Sequence, residues 1–116
     1  MKPQRAVPMN TELARRIRSI LAANKKVEEK PMFGGICFML NGNMAVAARR
    51  DASLLARIGG KEAERAVAEP GIERMVMRGR EMRDYIVAAA DRLDDAALQE
   101  WIGLALAFVG ALPAKD

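Results

Sequence analysis

The stretch Met32-Phe33-Gly34-Gly35-Ile36-Cys37-Phe38-Met39-Leu40-Asn41-Gly42-Asn43-Met44-Ala45-Val46-Ala47-Ala48 sets two apolar runs on either side of Asn-Gly. Asn and Gly both tolerate positive φ, which a two-residue type I′ turn requires at both of its positions, so the segment reads as a β-hairpin. With Asn41-Gly42 as the loop, simple counting sets Met39 opposite Met44 and Cys37 opposite Val46 on one face. Phe38 then meets Ala45 on the other. Both faces of this hairpin are apolar. A sheet dry on both sides needs a cover on each, helices on one and helices, a ligand or a second subunit on the other. Gly34-Gly35 precedes a strand, not a helix N-terminus, so it is a bend into the sheet and not a phosphate loop, with Phe33 as a core anchor.

Upstream, Leu13, Ile17, Ile20 and Leu21 recur at helical spacing, which predicts a helix over residues 11–24, capped by Asn10 or Thr11 and closed by Lys25-Lys26. Residues 1–10, with two prolines, read as a loose arm, and residues 11–116 as one domain. Between the helix and the hairpin lies a charged connector. Downstream, residues 53–58 read as a third strand ended by Gly59-Gly60, and residues 61–69 as a short helix stopped by Pro70-Gly71. Residues 72–77 and 83–88 are two more strands joined through Arg78-Gly79-Arg80-Glu81. A last helix starts at the cap Asp94-Asp95 and carries Leu98, Trp101, Ile102, Ala105, Phe108, Val109 and Leu112 along one side. The expected architecture is a two-layer α+β domain with a mostly antiparallel five-stranded sheet, in the order α-β-β-β-α-β-β-α.

Composition narrows the chemistry. The chain of 116 residues is 51% hydrophobic and 29% charged, enough to bury a core without metals or disulfides. Cys37 is the one cysteine, which rules out an intramolecular disulfide and suits a reducing compartment such as the cytoplasm. No secretory leader is legible, and the apolar tract from Trp101 to Leu112 is too short to span a bilayer. The absence of histidine removes the commonest general base and the commonest metal ligand, and Cys37 lies mid-strand among apolar neighbours that suppress a thiol's reactivity. Each carboxylate pair has an ordinary place in a loop, a helix face or a cap. The reading is therefore non-enzymatic, with no cofactor.

Three binding surfaces follow. Arg15, Arg16 and Arg18 lie off the apolar stripe of the first helix and, with Lys25 and Lys26, form a basic face that could meet nucleic acid. It lacks the interleaved aromatics on which single-stranded bases stack. Leu104 and Leu106 fall outside the stripe of the last helix and, with Trp101 and Phe108, suggest a homodimer interface. Met32, Met39, Met44, Met75, Met77 and Met82 fall in or beside strands, where methionine either fills gaps or lines an adaptable apolar site.

The run Met32-Phe33-Gly34-Gly35 followed by the Asn41-Gly42 hairpin resembles the TfoX N-terminal-domain family. So do Leu55-Ala56-Arg57-Ile58-Gly59, the step Gly79-Arg80 leading to Met82, and Trp101 followed by residues 105–109 and Leu112-Pro113. The similarity extends over about residues 11 to 113. It implies an α+β regulatory domain of the kind named after regulators of natural competence, without the C-terminal domain that follows it there and without enzymatic activity. This chain has Gly79-Arg80-Glu81-Met82 where many relatives have Gly-Arg-Pro-Met, and it lacks the histidine that some carry after Asn-Gly-Asn.

Overall fold

A computed structural model of the chain describes residues 11–32 and 34–114, so the expected N-terminal arm, the Asn10 cap and the anchoring role of Phe33 lie outside the described residues. The elements are α1 (Thr11–Ile20), β1 (Val27–Met32), β2 (Gly35–Leu40), β3 (Asn43–Ala48), β4 (Leu54–Arg57), α2 (Gly60–Ala66), β5 (Ile72–Met77), β6 (Arg80–Ala88), a 3-10 turn (Ala90–Arg92) and α3 (Asp95–Gly110). Every strand pairing is antiparallel, and the order across the sheet is β1-β2-β3-β4-β6-β5. The fold is α+β, with six strands among the described residues instead of the expected five.

The added strand is β1, expected as a connector because Glu28, Glu29 and Lys30 show no apolar alternation. It is an edge strand, exposed along nearly its whole length, where charges and Pro31 are tolerated because one row of backbone groups faces water. The first helix ends at Ile20, earlier than expected. Asn24 forms a turn of its own, its side chain accepting the Lys26 N–H at 3.1 Å, and this local bond competes with helix continuation. Arg78 adopts a φ of 55° and Gly79 one of 78°, so the β5–β6 loop is a tight two-residue turn and β6 begins at Arg80, before the expected residue 83. Asn41 and Gly42, at φ 54° and 82°, form the equivalent turn between β2 and β3, as their dipeptide requires.

One face of the sheet carries the three α-helices of the described residues. α3 lies over β2, β3 and β4, α1 lies beside it over β3, and α2 packs on β5 and β6. Beneath them Phe38, Val46, Leu54, Ile86, Ile17, Leu98, Ile102 and Val109 are almost wholly buried. The Asp94 side chain caps α3 by accepting from the Ala97 N–H at 2.8 Å. Gly59, at φ 91°, turns the chain from β4 into α2, and a Cβ there would stand 2.7 Å from the Phe108 ring. Gly59→Ala combines a strained backbone with this clash and is expected to cost about 2 kcal/mol, read as a lower urea midpoint at unchanged slope.

Candidate functional site

Among the described residues, the opposite face carries no helix. Cys37, Ala47 and Leu55 are nevertheless buried there, with Met39, Met44, Met75, Tyr85 and Val87 packed around them. The cover comes from the sheet itself. Met32 on one edge strand and Met77 on the other line the same cavity, so the sheet curls over this face without closing into a barrel. The cavity measures about 320 Å³ and is lined chiefly by Met32, Cys37, Met44, Leu55, Met75, Met77, Met82 and Tyr85, with Ala47 in its floor.

Two breaks in register build it. Between Phe38 and Met39 the β2–β3 ladder slips, so Phe38 faces Val46 and Cys37 faces Ala47, while Met39 still faces Met44. The expected pairs Cys37–Val46 and Phe38–Ala45 are thereby corrected. Ala45 is an extra residue, a bulge, and it joins Val46 in the main core, which frees Met44 to turn to the cavity. The β5–β6 ladder passes from Arg74–Ile86 directly to Met75–Met82, leaving Arg83, Asp84 and Tyr85 without partners on β5. Met82 and Tyr85, three residues apart, would face opposite sides of a regular strand, yet both line the cavity. The carbonyl of Asp84, inside this second bulge, accepts from the N–H groups of Ile58 and Gly59 at 2.9 and 3.1 Å, which ties the bend to the end of β4.

Chemically the lining is soft and apolar. Cys37 is 2% exposed, and burial pushes its thiol above the ordinary value. Arg49 is the one charged residue in the lining among the described residues. The guanidinium of Arg57 sits 5.4 Å from the centre of the Tyr85 ring and 5.8 Å from that of Phe108, bridging the cavity wall to α3. No group of three or more Cys, Asp or Glu side chains within reach of one metal ion occurs among the described residues. Among them, too, no helix is long and apolar enough to cross a membrane.

The family-motif residues divide between turns and cavity. Met32, Gly35 and Met82 line the cavity. Asn41, Gly42 and Gly79 form turns, Arg80 opens β6 opposite Met77, and Gly34, at φ 77°, packs against the Arg50 side chain. On α1, Arg15 pairs with Glu12, Arg16 donates to the Leu93 carbonyl at 2.7 Å and to Asp95 at 3.0 Å, and Arg18 embraces Glu29 of β1 through two donors. That pairing holds the Glu29 carboxyl below its usual value. Lys25 and Lys26 are exposed in the turn before β1. On α3, Trp101 is buried, and Leu104, Leu106 and Phe108 pack, partly buried, against the main core, so only part of each of these three side chains is left at the surface. Sequence periodicity missed Tyr85, Leu55 and Arg49 as lining residues, because bulges and sheet curl leave no trace in a pattern of alternation.

A buried thiol with a raised pKa is mostly protonated at pH 8, and only the thiolate attacks. Cys37 in the folded protein is accordingly expected to react with a thiol reagent at least tenfold more slowly than in the urea-unfolded chain, followed by absorbance at pH 8. Equal rates would show the face to be open.

Comparison with curated proteins and with solved structures gives no match. The profile of the TfoX N-terminal domain matches residues 19–109, from the end of α1 through almost all of α3, and so spans the whole sheet and both walls of the cavity. The chain belongs to the TfoX N-terminal domain family.

Proposed function

We propose that the chain is a non-catalytic regulatory module of a reducing compartment, which responds to a small apolar ligand taken into the methionine-lined cavity. The carrying observation is the cavity itself: about 320 Å³, apolar, on a sheet face that no helix of the described residues covers. Pockets for small molecules start at roughly this size and share this makeup of apolar walls with very few polar groups. Methionine suits the task because its unbranched, polarisable side chain repacks around differing shapes. The absence of histidine and the burial of Cys37 support the non-catalytic part of the reading.

Nucleic-acid binding through α1 is the weaker reading. Each of Arg15, Arg16 and Arg18 has a carboxylate partner within the chain, and a paired guanidinium releases fewer counterions on meeting a phosphate. Homodimerisation through α3 has less support, since Leu104 and Leu106 give part of their surface to the subunit's own core.

A neutral fluorescent naphthylamine probe should bind the wild-type protein saturably at one site. Ala47→Phe, which fills the cavity floor from the middle of β3, should remove that binding while the thermal midpoint stays within a few degrees. Probe binding that survives Ala47→Phe, or none in the wild type, overturns the proposal.

A further inference from the structure

Resting on the reading of the cavity as a ligand site, we infer that its ligand is a medium-chain carboxylic acid, the chain among the methionines and the carboxylate on Arg49. The register of the sheet locates Arg49. Met32 pairs with Gly35, Ile36 pairs with Ala48, and Arg49 follows Ala48 directly, so Arg49 and Met32 share one end of the sheet. Met32 is the most exposed apolar side chain of the lining, at 37%, which marks that end as the mouth. Arg49 lines that mouth, and Arg50, outside the lining, packs beside it against Gly34. Positive charge at the mouth of an apolar cavity favours an amphiphile with an anionic head over a neutral hydrocarbon or an amine.

Arg49 is available for this. Among the described residues it makes no ion pair. Asp51, the acidic residue nearest in sequence, is held chiefly by Ser53: its carboxylate accepts from both the hydroxyl and the N–H of Ser53, the latter at 3.0 Å, and these bonds hold its pKa low, with a smaller contribution from Arg49. Arg49 is also fixed at its backbone, whose N–H donates to the Ser53 carbonyl at 2.9 Å.

Size selects the tail. At the density of an organic liquid, about 320 Å³ holds an unbranched acid of roughly eight to ten carbons. The sulfur-rich lining also suits a soft monovalent ion such as Cu(I) or Ag(I), but one ion would leave most of this volume void.

The test is competition against the neutral probe at pH 8 with decanoate, octanoate, decanol and decylamine, the ionic amphiphiles below their critical micelle concentrations and decanol below its solubility limit. Decanoate should bind at least tenfold tighter than decylamine, and about fourfold tighter than octanoate for each added methylene. Arg49→Gln should abolish the preference for decanoate over decanol and leave decanol binding intact, whereas Arg49→Lys should retain the preference. Should the probe bind while decanoate competes no better than decylamine, the head-group assignment falls and the cavity reading stands. Absence of probe binding removes both. Displacement of the probe by one equivalent of Ag(I), with decanoate inert, overturns the proposal in favour of a soft-metal site.

Discussion

A sheet whose side chains are apolar on both faces must be kept from water twice, and every other feature of this molecule follows from how that is done. On β2, Phe38 and Leu40 point to one side and Cys37 and Met39 to the other, so no placement of helices on a single face suffices. Three helices cover the first face. The second is covered by bending the sheet until Met32 and Met77, from its two edge strands, reach one cavity. Bending needs interruptions of the ladder, and the bulges at Ala45 and at residues 83–85 supply them.

Local chemistry with one dominant solution is legible in the residues alone. Asn41-Gly42 admits little but a type I′ turn, the stripe of α3 admits only a helix on a core, and the double apolar face of the hairpin announces a second cover. What escapes is set by long-range pairing. Glu28, Glu29 and Lys30 become a strand because β2 offers a free edge and Arg18 anchors Glu29, neither of which is visible in a window of six residues. The slip at Ala45 escapes for the same reason. It is stabilised by Val46 and Ala45 both entering the main core, a gain that depends on helices distant in sequence. The methionines were legible as a group, whereas Tyr85, Leu55 and Arg49 join them only through the curl.

Charge is used here for assembly as much as for display. Arg16 reaches from α1 to the Leu93 carbonyl and Asp95 at the start of α3, and Arg18 reaches to Glu29 on β1, so two of the three helix arginines stitch the first helix to its neighbours. Exposed pairs of this kind contribute at most about 1 kcal/mol each, and their larger effect is on the surface field. Of the residues that look like a nucleic-acid footprint in one dimension, the three arginines are paired with carboxylates, while Lys25 and Lys26 stay exposed. Arg49 stands apart because the carboxylate nearest to it in sequence, Asp51, is already held by Ser53.

The two apolar clusters divide stability from adaptability. Phe38, Leu54, Ile86, Leu98 and Ile102 are held between sheet and helices with almost no exposure, and truncating such side chains typically costs about 2–5 kcal/mol. On the second face the lining methionines keep partial exposure and border empty volume, so they forgo part of the dispersion contact that close packing would provide. That deficit can be repaired by a guest. A ligand that supplied the missing contacts would stabilise the curled sheet, and because the lining draws on both edge strands, its contacts would extend from β1 to the β5–β6 hairpin. On the proposed reading, those two edges, which carry no further strand among the described residues, are where the effect of a bound ligand would reach a partner.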